Sequence, residues 1–499
     1  MSKKVLVISY NTFPTEEIQS AEGTGLRYWR MACALKNAGA EVDLAVLDIN
    51  KPDIDEYMGI NIKSFSFDYD KLGKLLSGYD VIVFSYGFGR LTREIIDRSP
   101  KKALLIADAI SPYYVEALTK SKDFVRDSEV LSLYKEQVEY CNYALVNSDY
   151  IIVAAEEQKE LYLGVIAGMG LLDEFDTTRM ITVPAYPELN DRVTKMTNNS
   201  KINILWFGGM YPWFNPENLL EIFSFKKIKK LATLTVVGGS NPFYPKKDKR
   251  FNGAFDDFKR KSDQLGLTNK TIFFKDWVGY DERINIFNSA DLAVSINADN
   301  LENKYSFRLR LADMSGNGVP VATNGGDPLG EDLVRKGLAL KFNFLDTDRL
   351  VDRFQEFLIA NRNDIKKLRV KLASNKVRSD LSSGSAIHEI INTVNNGNKA
   401  TYLNNDGVII NKLFNLNSEN YKIKQEIINI GNKLADAESK NNSLGDSLGR
   451  ANQTVGKLSE EILLIKHELY IIYRRPWIYA WKLFRKIIKK VKASLVKQD

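Results

Sequence analysis

Histidine and cysteine are almost absent from this 499-residue chain, with two of each. His388 and His467 both fall late, so a histidine-centred metal site or a Ser-His-Asp triad is excluded from the first 380 residues. Cys33 and Cys141 lie in stretches that read as helix. They offer neither a disulfide framework nor a thiolate metal site, and a reducing cytoplasm is the expected compartment. No run of about 18 apolar residues occurs, which excludes a membrane-spanning helix. The opening Met-Ser-Lys-Lys-Val-Leu-Val-Ile-Ser-Tyr reads as a short strand rather than a signal peptide, because its apolar run has ended by Asn11.

What is present describes a folded body with an unusual end. Hydrophobic residues make up 44% and charged residues 27%, an ordinary globular balance, and the length exceeds what one core can serve. The charge is uneven. Residues 474–499 hold nine Lys/Arg and one Asp, a net of +8, while the whole chain is +7, so residues 1–473 sum to about −1. The body is neutral and the tail is the basic object.

Short apolar runs alternate with amphipathic segments over the first 345 residues. Strands are expected at Val5–Ser9, Val42–Val46, Val81–Phe84, Leu104–Ala107, Ile151–Ala154, Ile204–Phe207, Leu234–Val237, Ile272–Phe274, Leu292–Ser295 and Val319–Ala322, with helices such as Leu26–Ala38 and Gly330–Lys336 between them. Near-continuous apolar strands alternating with helices predict a parallel α/β fold. The series runs twice, with the polar stretch Asn190–Asn203 as linker, which predicts two Rossmann-like domains over residues 1–190 and 200–398 with a cleft between them. The helical stretch Asp348–Asn395 completes the second and is placed to cross back to the first.

From Leu413 to Ile472 apolar residues keep a 3-4 spacing, interrupted at two positions of one phase by Asn420 and Asn441. About nine heptads without a phase break predict a coiled coil over 405–473, and asparagine at the a position favours a parallel homodimer, with a trimer as the other option. One amphipathic helix folded on the body is the competing reading. Pro476 then breaks the helix. Beyond it Trp477, Trp481, Phe484, Ile488, Val491 and Leu495 form one face, and Lys482, Arg485, Lys486, Lys489, Lys490 and Lys492 occupy much of the rest. A basic amphipathic helix with tryptophans suits an anionic membrane surface. Nucleic acid is not expected as a partner, since a helix tracking phosphates need not bury tryptophans; a partner-protein groove is the alternative.

Several turns carry chemistry. Gly23 and Gly25 open a helix containing Arg27, where a diphosphate can approach the backbone; a plain tight turn competes with this. Asp108 ends the fourth strand of the first half, where a carboxylate faces the crevice of such sheets, or else caps a helix. Glu157 and Gln158 start another helix, as cleft-lining groups or as ordinary first-turn residues. Gly208-Gly209 follows a strand and leads to Trp213, Asn215 and Pro216, and Gly238-Gly239 ends the next strand. Glu302, Tyr305, Ser306, Phe307, Arg308 and Arg310 then lead into a helix carrying Asp313, followed by Val319-Pro-Val-Ala-Thr323 and Gly325-Gly326-Asp327. Helix N-termini attract anions, and guanidinium groups match phosphate in two-point contacts; solvated helix charges are the alternative for the two arginines.

Over residues 1–395 these segments resemble retaining glycosyltransferases of the GT-B fold, specifically glycosyltransferase family 4. The resemblance is strongest at 204–216 and 272–332 and includes Gly25-Leu-Arg-Tyr-Trp29. It implies a nucleotide-diphospho-sugar donor, no metal and no other cofactor, and transfer with retention, the leaving phosphate helping to deprotonate the acceptor. In the family an acid precedes a Gly-Phe-Gly-like turn and a second acid follows eight positions after the first. Here Tyr305 replaces the first, with Glu302 as the candidate substitute, and Asp313 replaces the second, inheriting the ribose contact. A basic pair usual after the Gly208-Gly209 turn is missing, which leaves Arg308 and Arg310 as phosphate clamps and, with Asp108, as candidate catalytic residues. Gly23, Gly25, Arg27, Glu157, Gln158, Gly208, Gly209, Trp213, Gly238, Gly239, Glu302, Tyr305, Ser306, Phe307 and Asp313 are the expected donor- and substrate-binding residues.

The acceptor expected with a basic tail at the cytoplasmic face of the cell membrane is a lipid-linked glycan or a surface polysaccharide, such as O-antigen or capsule. The alternative is a GT-B body without activity that organises glycan assembly through its coiled coil. A sugar-nucleotide epimerase on the same fold would leave the tail unexplained and lacks a cleft histidine.

Overall fold

A computed structural model describes residues 3–15, 22–120, 128–173, 175–185, 200–211, 214, 216–240, 242, 249–381, 387–399, 426–427, 430, 433, 445–474 and 485–486. The chain forms two compact units, residues 1–408 and 409–499.

The first unit holds two sheets. Strands β1 (Lys4–Ser9), β2 (Glu41–Leu47), β3 (Glu56–Tyr57), β4 (Ile60–Phe65), β5 (Val81–Ser85), β6 (Leu104–Asp108), β7 (Tyr150–Val153) and β8 (Met180–Thr182) pair in the order β3-β4-β2-β1-β5-β6-β7-β8. Only β3 runs antiparallel to its neighbour. Strands β9 (Ile202–Phe207), β10 (Ala232–Val237), β11 (Ile272–Lys275), β12 (Leu292–Ser295), β13 (Val321–Thr323) and β14 (Leu340–Lys341) form a six-stranded parallel sheet in the order β11-β10-β9-β12-β13-β14. Strand order reverses beside β1 and again beside β9. In doubly wound sheets such switch points open a crevice at the carboxyl ends of the strands.

Both faces of each sheet are covered, which the apolar strand composition requires. Leu6 and Ile8 of β1 enter one core cluster while Val5 and Val7, pointing the other way, enter a second. In β9, Ile204 and Trp206 pack on one side and Leu205 on the other. All ten expected strands form, with ends shifted by up to two residues. Four strands, β4 and the shorter β3, β8 and β14, were not foreseen.

Residues 387–399 correct the expected 200–398 domain. Ile387, Ile390 and Val394 belong to the core of the first half, packed with Val5 and Val7. Lys399 Nζ donates to Asp149 Oδ2 at 2.7 Å and Arg179 Nη1 to the Asn398 carbonyl at 2.8 Å. The chain therefore returns to the first half and ties the two together.

In the second unit the helix Gly445–Arg474 spans 30 residues, about 45 Å at the α-helical rise. Val455, Leu458 and Ile465, all on the expected heptad seam, are 42%, 45% and 48% exposed in the single chain. Most of the remainder of 405–473, and all of 475–499 except the helical Arg485 and Lys486, lies outside the described residues. Among the described residues no helix is long and apolar enough to cross a membrane.

Candidate functional site

A cavity of about 420 Å³ opens between the two halves of the first unit. Its floor is the carboxyl end of β9 and β10, where Gly208 and Gly238 adopt φ of +89° and +72°. A side chain would be strained at either position, and at Gly238 a Cβ would stand 3.2 Å from the Trp277 ring. Trp277, Val278, Gly279 and Tyr280 form one wall, and the helix Leu309–Gly316 brings Leu309, Arg310 and Asp313 to it. The helix Gly23–Asn37 closes the opposite side with Gly23, Arg27 and Arg30.

Arg310 is the distinctive group. Its guanidinium lies 4.4 Å from the centre of the Phe214 ring and beside the Gly208 backbone. Burial lowers its pKa to about 10, and the neighbouring Arg308 lowers it further, while Tyr211 and the Glu302 carboxylate partly offset this. Among the described residues it has no hydrogen-bond or ion-pair partner. A desolvated cation beside a helix start, where the Leu309 and Arg310 N–H groups have no intrahelical partner, is an arrangement that favours an anion.

Asp313 sits at a junction. Its Oδ2 is 3.1 Å from Arg283 Nη1, and its Oδ1 is 3.9 Å from Arg30 Nη2. Arg283 stacks on the Tyr280 ring at 3.5 Å, and Arg30 Nη2 donates to Tyr280 Oη at 3.0 Å. Arg30 comes from the first half and the other three from the second, so the group spans the cleft.

Several expected site residues stand elsewhere. Asp108 does not reach the cavity wall. Arg27 holds its carboxylate through Nε at 2.7 Å and Nη2 at 2.9 Å, and Asp108 is 1% exposed. Arg308 is likewise committed, gripping both Glu302 oxygens at 2.9 and 2.8 Å, and Ser306 Oγ donates to the same carboxylate. Glu302 is thus neutralised by a two-point arginine contact, with Oε1 accepting twice, and the terminal nitrogens of Arg308 are committed to it rather than to phosphate. Tyr305 contributes its carbonyl, which accepts from Gln158 Nε2 at 2.8 Å. Gln158 also accepts from Ala154 N at 2.7 Å and donates to the Ile110 carbonyl, so it joins the halves rather than lining the cavity. Phe307 packs against Ile110, Ala154 and Ala185 across the same joint.

Glu157 is half-buried in the first turn of Glu156–Gly168, off the wall. Gly239 packs under Phe255, and a Cβ at Gly25 would meet the Thr12 carbonyl. Trp213 lies outside the described residues. Gly23, Arg27, Gly208, Gly209, Gly238, Arg310 and Asp313 do line the cavity.

The cavity adds residues that sequence reasoning missed: Arg30, Arg283, Tyr280, Tyr211, Glu22 and Glu116. Glu22 accepts from Asn11 Nδ2 at 2.5 Å and stands at the start of the glycine-led helix. Charges of both signs line each side: Glu22, Glu116, Arg27 and Arg30 from the first half, and Arg283, Arg310 and Asp313 from the second. Among the described residues no group of three or more His, Cys, Asp or Glu could hold a metal ion.

No family model matches the chain, and no curated protein matches it in sequence. Solved structures do match. Sucrose-phosphate synthase from Thermosynechococcus elongatus superposes with a TM-score of 0.55 at 15% identity, over 78% of this chain and 97% of that one. The trehalose-6-phosphate synthase OtsA gives 0.56 at 12% identity over 79% and 99%. An α-glucosyltransferase in complex with UDP-glucose and DNA containing an abasic site gives 0.51 at 13% identity over 79% and 100%. The body of this chain, with its two Rossmann-like domains facing one cavity, has the GT-B fold of glycosyltransferases.

Proposed function

We propose that this chain is a glycosyltransferase that takes a sugar from a nucleotide-diphospho-sugar. The observation that carries the reading is Arg310: a desolvated cation with no ion-pair partner among the described residues, at a helix N-terminus and beside the left-handed Gly208 turn. A diphosphate supplies the charge this arrangement lacks. Without a metal, negative charge growing on the leaving diphosphate is met by the Arg310 side chain and by the N–H groups of Leu309 and Arg310 at the helix start, which need no reorganisation during the reaction. The ligands of one neighbour, UDP-glucose among them, support a nucleotide-sugar donor. Trp277–Tyr280 wall the cavity beside the turn at Gly238 and suit the nucleoside end of such a donor.

On the opposite wall Glu22 and Glu116 can accept hydrogen bonds from the hydroxyl groups of a sugar acceptor. Asp108 acts one step removed, by fixing Arg27. Retention of configuration follows from the family 4 resemblance. The coiled coil pairs two chains, and the tail docks them on an anionic membrane surface where a lipid-linked glycan is extended.

The test is turnover. The full chain is incubated with a panel of nucleotide sugars and a membrane lipid extract, and released nucleotide is measured. One donor consumed by the wild type, and at least about tenfold more slowly by Arg310→Ala, supports the reading, since one charge-assisted contact is being removed. Equal turnover by both, or none with any donor, contradicts it.

One observation favours the second reading, a scaffold without activity. The acid usual at the Tyr305 position is absent, and the nearest substitute, Glu302, is paired in two-point contact with Arg308 and bonded by Ser306. A glycan product that forms normally with Arg310→Ala, but not after removal of residues 409–499, would select it.

A further inference from the structure

We propose that the second half carries a docking face at the amino ends of its strands, opposite the cavity, and that an anionic lipid bilayer is what it meets. Neither the donor reading nor the basic tail is needed for this. Lys201, Lys226, Lys229, Lys230, Lys270 and Lys366 make no side-chain hydrogen bond or ion pair among the described residues. The fold gathers them. Lys201 immediately precedes β9, and Lys230 and Lys270 each stand two residues before β10 and β11. Those three strands are neighbours, with Ala232 opposite Ile202 and Leu234 opposite Ile272, so the lysines share one end of the sheet. Arg362 Nη2 donates to the Ser200 carbonyl at 3.0 Å, which brings the helix Arg362–Leu372 and its Lys366 to the same end. Lys226, Lys229 and Lys230 lie on one face of Lys226–Leu231, whose Ile228 is buried on the other.

Apolar side chains stand among these charges. Helices that return between parallel strands end where the next strand begins, so their carboxyl ends share this end of the sheet. Phe225 precedes Lys226–Leu231, Leu265 follows Lys249–Gln264 and Ile359 falls in the last turn of Leu350–Ala360. They are 48%, 53% and 59% exposed. Acids nearby are mostly engaged: Lys227 holds Asp352, Lys367 holds Asp364, and Asp291 accepts from the Asn203 N–H. Glu221 and Asp263 are left, two charges against six.

Cations with exposed aromatic and aliphatic groups between them match an anionic bilayer, whose phosphates meet the lysines and whose interface takes the apolar side chains. Nucleic acid would meet the lysines and leave Leu265 and Ile359 in water. The strands β9 and β10 have six residues each, about 20 Å in length. Docking by their amino ends therefore holds the cavity off the lipid by at least that distance. Under the transferase reading, an enzyme held this way extends the far end of a lipid-anchored chain rather than the lipid itself.

The test reports on the face itself, in the full-length protein. In a Cys33→Ser background, with Cys141 fully buried, an environment-sensitive nitrobenzoxadiazole dye is attached at Ile359→Cys. A second protein carries it at Ile49→Cys, an 82% exposed position just beyond the carboxyl end of β2. Vesicles of phosphatidylglycerol and phosphatidylcholine should shift the emission of the dye at 359 to the blue and leave the dye at 49 unchanged. Phosphatidylcholine alone should move neither. Lys226→Gln, Lys229→Gln and Lys230→Gln together should raise the lipid concentration for half the response at least about tenfold, because three surface cations are removed. A silent dye at 359, with or without vesicle binding by the tail, would overturn the inference. So would a shift at 49, an equal response to neutral vesicles, or a response to double-stranded DNA but not to vesicles. If circular dichroism shows the triple variant unfolded, salt decides: about 0.5 M sodium chloride should release the signal at 359, and a signal that salt leaves untouched would overturn the inference.

Discussion

Arg27 and Asp108, 81 positions apart in sequence, meet as a two-point ion pair at 2.7 and 2.9 Å with both side chains buried. Arg27 reaches from the glycine-led helix to the end of β6 and also donates to the Val183 carbonyl at 3.3 Å. Removing one member of such a pair leaves an uncompensated buried charge, at a cost of about 3–5 kcal/mol. Asp108→Ala and Arg27→Ala should each lower stability by that order in urea unfolding, and the double variant should lose much less than the sum. An Asp108→Ala protein of unchanged stability and abolished transfer would instead return Asp108 to a chemical role.

Two glycines should respond oppositely to the same change. A Cβ at Gly25 would stand 1.9 Å from the Thr12 carbonyl oxygen, and a Cβ at Gly164, in the helix Glu156–Gly168, would meet nothing within 4 Å. Gly25→Ala should destabilise by about 1–3 kcal/mol through forced displacement of that loop. Gly164→Ala should stabilise by about 0.5–1 kcal/mol through helix propensity. Thermal unfolding of the two variants checks the contrast, and a matching response would mean that Gly25 does not hold the close approach described.

Asp327 gives a pH signature. Its Oδ1 accepts from the Gly330 N–H at 2.8 Å, capping the helix Pro328–Arg335, while burial raises its pKa to about 6. The folded state therefore holds a proton that the unfolded state releases near pH 4. Stability from this group is complete below that range and is lost as pH rises through about 6. Asp327→Asn keeps the cap acceptor and removes the ionisation. Relative to wild type it should gain about 2 kcal/mol between pH 4.5 and 7.5 in urea titrations. A constant difference across that range would show that the carboxyl is ionised throughout.

The exposed seam of the second unit predicts assembly. Val455, Leu458 and Ile465 recur with heptad spacing on Gly445–Arg474 and are uncovered in one chain. Pairing through this seam gives a dimer. Light scattering of the full chain should report twice the monomer mass, and Leu458→Lys with Ile465→Lys should reduce it to one. A wild-type monomer at micromolar concentration would remove the coiled coil from the account.

Much of the fold was legible because buried parallel strands announce themselves as unbroken apolar runs, as in Val-Leu-Val-Ile of β1. The strands not foreseen lack that signal. In Ile60–Phe65 exposed Asn61, Lys63 and Ser64 dilute the pattern, and β3 and β14 have two residues each. In the site, the glycine turns at 208–209 and 238 and the helix with Arg310 were legible from local chemistry. Pairing was not. Nothing near Asp108 in sequence names Arg27 as its partner, and Arg308 looked as available as Arg310 until Glu302 was seen to hold it. Arg30, Arg283 and Tyr280 escaped notice because they become a cluster only where the two halves face one another, with Arg30 250 positions from Tyr280.

The central claim, a diphosphate site built around Arg310, is tested most directly by thermal unfolding of the full chain with UDP, GDP, dTDP or CMP, in the wild type and in Arg310→Ala. A ligand at 100 times its dissociation constant adds about 2.7 kcal/mol to the stability of the state that binds it. The account predicts that one nucleoside diphosphate raises the unfolding temperature of the wild type and that Arg310→Ala loses most of that rise. No rise with any nucleotide, or the same rise in the variant, would contradict it.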